Sequence, residues 1–295
     1  MTRCSLGYLL IVSILAAVGC QGPDARRQAF TKDLVQLETD AALGRYGEAI
    51  AQSSKLLAVA TGACEICPVK VALARSQAGL GLNDQALETY RQIAKECADS
   101  PLDSSVAMLH LARWVAENDS LNAIPVFKEL VRTFPDEPAA RQAVTWIKDL
   151  MLPNNGQAQT ANELMQFANE IRPDGQAKAN VLYTAAELLV ATDSDSQLAL
   201  DLYDQIITDF PAHGLSNDAM MAKAHLLINL DRPAEAVKVL EALLGRRQWS
   251  FLIGSYEVDL YKKASEMLPE VAAKAGESPK EIERRQREHH RRYSQ

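Results

Sequence analysis

"IPVFKELVRTFPDEPA", residues 124–139, and "LDLYDQIITDFPAHGL", residues 200–215, repeat one pattern behind a preceding alanine, Ala123 and Ala199. Each alanine is followed by an aromatic four residues on, an aliphatic seven on, and Phe-Pro at eleven and twelve. The reading widens when the same alanine is sought elsewhere. Ala49, Ala86, Ala123, Ala161, Ala199 and Ala236 stand 37, 37, 38, 38 and 37 residues apart. Alanine is common, so the neighbouring offsets decide whether this is a period.

Five residues before each alanine stand Gly44, Gly81, Asn118, Gly156, Ser194 and Asp231, residue types that suit a break between helices. Four residues after come Ser53, Tyr90, Phe127, Met165, Tyr203 and Leu240, and seven after come Leu56, Ile93, Leu130, Ala168, Ile206 and Leu243. Positions i, i+4 and i+7 lie on one helical face. Pro135, Pro173 and Pro211 then occupy three of the six slots at +12, where a helix must stop. A second apolar stretch precedes each turn, for example "SSVAMLHLARWVAEN" and "ANVLYTAAELLVAT". The unit is therefore helix, short turn, helix, stop. A small alanine permits close approach of the two helices, and one such pair cannot cover its own apolar face, so neighbours stack into a solenoid.

In "NAIPVFKELVRTFP", "LALDLYDQIITDFP" and "DQALETYRQIAKEC" the pattern resembles the second helix of the tetratricopeptide repeat. The resemblance covers roughly residues 30–249 and implies an all-α, right-handed superhelical solenoid of about six antiparallel helix pairs. The unit is longer than the family's usual ~34 residues, and the family's first-helix Trp, Leu-Gly and Tyr are mostly absent. Repeat four, with Asp149, Pro153 and Asn162, departs furthest.

Outside the repeats, "MTRCSLGYLLIVSILAAVGC" has one positive charge at Arg3, an apolar run and small residues, the layout of an export signal. Its "Ala17-Val18-Gly19-Cys20" ending resembles the lipobox of bacterial lipoproteins, which implies cleavage after residue 19 and a lipid on Cys20. Gln21 after the cysteine implies the outer membrane, and residues 20–29 read as a short linker. Residues 250–275 read as a capping helix and 276–295 as a charged tail with Arg284, Arg285, Arg287, Arg291 and Arg292, able to meet an anionic surface. Long units ending in "FP" behind a lipobox are similar to the repeat lipoprotein of β-barrel assembly and to Tol-associated periplasmic repeat proteins.

The bulk properties fit a folded protein: 295 residues, 23% charged, net charge −7. That charge disfavours nucleic acid, whose binding needs clustered Lys and Arg. "GACEICP" contains the only local motif with chemical potential. Cys64 could pair with Cys67, one of them could pair with Cys97, or neither bond forms. A redox role for Cys64 and Cys67 would require a thiolate at a helix start, whereas Pro68 places both cysteines before the helix. Three thiols without a nearby histidine give no zinc site. His110 and His225 read as structural, His213 as a turn residue, and His289 and His290 as tail. No His-Glu-x-x-His, Gly-x-Ser-x-Gly or phosphate loop occurs, so no catalytic residue, metal or cofactor is expected.

In tetratricopeptide-type proteins the first helices line a concave surface. Counting back eight, eleven and fifteen residues from each alanine gives Val71, Arg75, Met108, Ala112, Trp146, Leu150, Leu188 and Met221 as groove residues. The expected protein is a lipid-anchored envelope scaffold, facing the periplasm, that binds proteins or peptides. A subunit of outer-membrane protein assembly and a periplasmic thiol-disulfide protein are the alternatives.

Overall fold

The computed structural model describes residues 25–246 and 255–293, except 98 and 194. The expected signal sequence, Cys20 and the start of the linker lie outside the described residues. Within them the chain is all-α, and every regular element is a helix. It divides into two compact units, the first ending at Leu150 and the second beginning at Met151.

The first unit contains α1 (Ala25–Ala42), α2 (Tyr46–Leu57), α3 (Ala63–Gly79), α4 (Asn83–Glu96), α5 (Pro101–Asn118), α6 (Ser120–Thr133) and the start of α7 (Pro138–Ala168). Each helix packs on the next in sequence from α1 to α6, and first helices also touch one another, α1 with α3 and α3 with α5. Connections this short make sequential helices antiparallel neighbours. Helix-turn-helix units stacked in this way are the tetratricopeptide-like arrangement that the period predicts.

The second unit holds the rest of α7, then α8 (Gln176–Thr192), α9 (Ser196–Asp209), α10 (Gly214–Asn229), α11 (Pro233–Gly245), α12 (Ser255–Lys274) and α13 (Pro279–Tyr293). The same contacts recur: α8 with α9, α9 with α10, α10 with α11, and first helix α8 with first helix α10. Helix α12 covers α11 and touches α10, burying Leu260, Tyr261, Ala264, Leu268 and Val271.

The six aligned alanines are at most 2% exposed. Ala86 clusters with Val71 and Ala74 of α3 and with Tyr90 and Ile93 of its own helix. Ala49 clusters likewise with Phe30, Leu34 and Leu37 of α1. Packing at this density has no room for a larger side chain in place of the methyl. The +4 and +7 slots are buried as well, except in repeat four, where Met165 is half-exposed and Leu164 and Phe167 fill the core instead. Ala161 and Ala168 keep their buried places, so only the +4 position departs.

Two kinds of turn join the helices. In the first, Gly44, Gly81 and Asp231 adopt φ of 80°, 76° and 56°, and the following N–H donates back five residues: Arg45 to Asp40, Leu82 to Gln77, Arg232 to Leu227. These are Schellman closures, which occupy carbonyls that the helix end would otherwise leave unpaired. Gly276 (φ 83°) closes α12 the same way, with the Glu277 N–H donating to Ala272. In the second kind, extended Asp119 and Asp195 accept hydrogen bonds from the Asn122 and Leu198 N–H groups and cap α6 and α9. Repeat four breaks at a single residue, Gly156 at φ 69° within α7. Asp195→Ala should lower stability by about 1 kcal/mol, and Asp195→Asn should leave it nearly unchanged. Urea denaturation of the two variants separates loss of the cap from loss of charge.

Two expectations about the ends need correction. Residues 25–29 are not linker: α1 opens at Ala25, and Arg26 donates to the Glu65 carboxylate (3.0 and 3.2 Å) and to the Val59 carbonyl (2.6 Å). Burial raises the pKa of Glu65, but the Thr61 N–H and Arg26 outweigh it, so the carboxyl sits below its ordinary value. Residues 279–293, expected as part of a charged tail, form helix α13. Arg285 there pairs with Glu241 of α11 and with Glu277, while Arg284 and Arg287 pair with Glu281 and Glu283. Three of the basic residues are therefore matched by carboxylates within the fold.

Candidate functional site

One disulfide joins two of the described cysteines to each other. Cys67 and Cys97 are joined, with Cα atoms 5.9 Å apart, and both are at most 1% exposed. The bond ties the start of α3 to the residue capping α4 and so closes the open end of that hairpin. This corrects the Cys64–Cys67 alternative. It also corrects the position of the motif: α3 begins at Gly62–Ala63, so Cys64 and Cys67 lie inside its first turns, and Pro68 is an internal residue. As the sixth residue of α3, Pro68 lies past the four N–H groups that have no intrahelical partner, so the helix forgoes one backbone bond there. The thiol-disulfide cycle between Cys64 and Cys67 is not available, because the Cys67 sulfur is bonded elsewhere and covered. No group of three His, Cys, Asp or Glu side chains among the described residues could hold a metal ion.

The expected groove residues divide by burial. Val71, Ala112, Leu188 and Met221 are buried and serve as packing, a correction to their place in an open groove. First helices stack on one another as well as on their partners, so a fixed offset selects that seam along with the open face. Arg75, Met108, Trp146 and Leu150 remain half-exposed, all in the first unit. Leu188 and Met221 belong to the second.

Around Arg75 the first unit concentrates its unusual polar groups. Tyr90, the aromatic of the second repeat, enters from α4 and is 3% exposed, yet its hydroxyl is fully covered and has no hydrogen-bond partner. The His110 ring of α5 stacks on it, centroids 5.3 Å apart and planes 7° from parallel. Arg75 of α3 and Arg113 of α5 both lie close enough to act electrostatically on Tyr90 and on His110. Burial, reinforced by these two guanidinium charges, pushes the His110 pKa down to about 3, so the imidazole is neutral at physiological pH. Burial also holds the Tyr90 phenol well above its ordinary value, with the arginines opposing that shift.

Arg113 stands 5.8 Å from the centroid of the Trp146 ring, which itself stacks on Phe127 at 5.7 Å. Among the described residues neither Arg75 nor Arg113 forms an ion pair with a carboxylate. This differs from Arg26, Arg45, Arg232 and Arg285, each held by Asp or Glu. It differs also from the fifth repeat, where Glu187, not arginine, acts on the equivalent Tyr203 after burial, and the phenol is pushed up to about 12. The offsets nominated Arg75, Met108 and Trp146. They missed Tyr90, His110 and Arg113.

Comparison with known families agrees with the repeat. The model described as tetratricopeptide repeat matches residues 71–100, the stretch that contains Arg75, Tyr90 and Cys97. No curated protein matches the chain. The chain is thus an all-α protein of helix-turn-helix units that carries a tetratricopeptide-type repeat. Repeats of this type are protein-interaction modules. No helix among the described residues is long and apolar enough to cross a membrane.

Proposed function

We propose that the protein is a lipid-anchored scaffold of the bacterial cell envelope whose first unit binds a partner protein. The observation that carries the binding reading is the run of half-exposed first-helix residues Arg75, Met108 and Trp146, set on stacked helices and bordered by fully packed alanines. Large side chains on a rigid backbone support tight contacts with little ordering cost. A photo-crosslinking residue at Met108 should trap a discrete protein adduct in cells, and one at Glu88, exposed on the second helix of its repeat, should not. Equal labelling from both positions would count against binding through the first helices.

The anchor rests on the sequence ending at Cys20 and is supported by Cys67–Cys97, since stable disulfides belong to oxidising compartments. Gln21 favours the outer membrane, and participation in outer-membrane protein assembly is the more specific version of this reading. Metabolic labelling with a fatty acid should mark the full-length protein and leave Cys20→Ser unmarked. Labelling of both would remove the anchor at that residue.

A further inference from the structure

We infer that the Arg75–Arg113 pair of the first unit is an anion subsite that receives an internal aspartate or glutamate side chain of the bound protein segment. The inference rests on the protein-binding reading and adds the chemistry of the ligand.

The chain carries a net charge of −7, yet two guanidinium groups converge on one spot with no carboxylate on either. They come from neighbouring first helices, α3 and α5, which the packing holds in fixed relation. Arginine presents a rigid fork of donors suited to a carboxylate, and Trp146 orients one fork through its ring face. Within their electrostatic reach lies the Tyr90 hydroxyl, a covered donor with no acceptor. A covered hydroxyl without a partner is destabilising unless something completes it. The side chains around it include two long, jointed arginines, which can swing toward an arriving anion and uncover it.

The two guanidinium charges exclude the opposite ligand charge, since they repel a lysine or arginine of the partner, and the neutral His110 ring stacked on Tyr90 brings no countercharge. Half-exposed Met108 lies on α5 as Arg113 does, so that helix offers an apolar contact as well as a charged one. The segment recognised therefore pairs an acidic residue with an apolar neighbour.

The test is selection of random peptides from a phage library displayed as internal segments, so that no free C-terminal carboxylate is present, against the full chain. The parent should enrich peptides with Asp or Glu at a fixed distance from an apolar residue. The Arg75→Gln/Arg113→Gln double variant should lose that enrichment, and an enriched peptide should bind it at least ~10-fold more weakly than it binds the parent. Tyr90→Phe provides the second readout. It should bind the acidic peptide about 10-fold more weakly, while its own unfolding midpoint stays level or rises, because an uncompleted hydroxyl has been removed. A residue that served packing alone would not move the two in opposite directions.

Circular dichroism confirms that each variant is folded. Enriched peptides without an acidic position would overturn the anion subsite and leave protein binding standing. Failure of the parent to enrich any peptide, with Met108 crosslinking also blank, would remove both. Acidic peptides that bind the double variant as tightly as the parent would place the charge contact elsewhere and sink the subsite.

Discussion

Replacing Cys67 and Cys97 together by alanine should lower the stability of the first unit by about 3 to 4 kcal/mol. The bond closes a loop of sequence separation 30. In the chain-entropy description, cross-linking a loop of that size removes about 3.6 kcal/mol of freedom from the unfolded chain. Both sulfurs are covered, so alanine also leaves a small void, which adds to the loss. The bond is not the sole clasp at this end of the hairpin. Lys70 of α3 pairs with Glu96 of α4 at 2.5 Å, and the Ser104 hydroxyl donates to the Cys97 carbonyl. The unlinked hairpin should still form, held by Ala86, Ile93 and Val71.

Hydrogen exchange should show the loss in α3 and α4 and little change in α10 and α11, which lie in the other unit. Adding a reductant to the parent should reproduce the effect, and non-reduced tryptic digestion should recover Cys67 and Cys97 in one linked product. Unchanged protection in α3 and α4 of the double variant would show that this hairpin does not depend on the bond.

How far the sequence disclosed this structure depends on what each residue had to do locally. Burial of the six alanines follows from a requirement repeated in every unit, so six weak signals reinforce one another. Turn positions were legible for the same reason: Gly44, Gly81, Gly156 and Asp231 all take positive φ where the offset places the break. The fifth unit shifts to Asp193, one residue early, because Asp195 two residues later caps the next helix.

Features that occur in one unit were harder to read. The cysteine pairing turned on where α3 begins. Pro68 suggests a start there, because proline is favoured at the first helical residue, whereas α3 begins at Ala63 and carries Pro68 in its second turn. In repeat four the large core residues are Leu164 and Phe167, at +3 and +6, which the fixed offsets of +4 and +7 do not select. The same one-residue margin hid Arg113 behind Ala112. On a helix the two are ~100° apart, so one packs in the core and the other reaches Trp146. An arginine on each of two successive first helices flanking a buried tyrosine was visible in principle. It needed the contact between α3 and α5, which the period implies but does not register.

Stability should fall as the pH drops from 6.5 to 5, by up to about 1.4 kcal/mol per pH unit or roughly 2 kcal/mol in all, and His110→Phe should flatten most of that slope. The sign follows from the direction of the shift. The folded-state pKa is depressed to about 3 from an ordinary value near 6.5, chiefly by burial and further by Arg75 and Arg113. Above pH 6.5 the imidazole is neutral in both states and its contribution is complete. Below that, the unfolded chain takes up a proton that the folded chain refuses, and the stability it conferred is lost progressively toward pH 3.

The carboxylates with shifted values do not produce this fall. Asp103 and Glu137 have raised values, mainly from burial, so what they contribute is present at low pH and lost as pH rises, opposite in sign. Glu65, with its lowered value, begins to lose its contribution only below about 4.5. Phenylalanine keeps a ring against Tyr90 and cannot titrate, so comparison of urea midpoints at pH 6.5 and 5 isolates the imidazole. An equal fall in parent and variant would mean that His110 is protonated in the folded protein at pH 5. Two arginines without carboxylate partners could not then be crowding it, and the convergence of charge that defines the subsite would have to be abandoned.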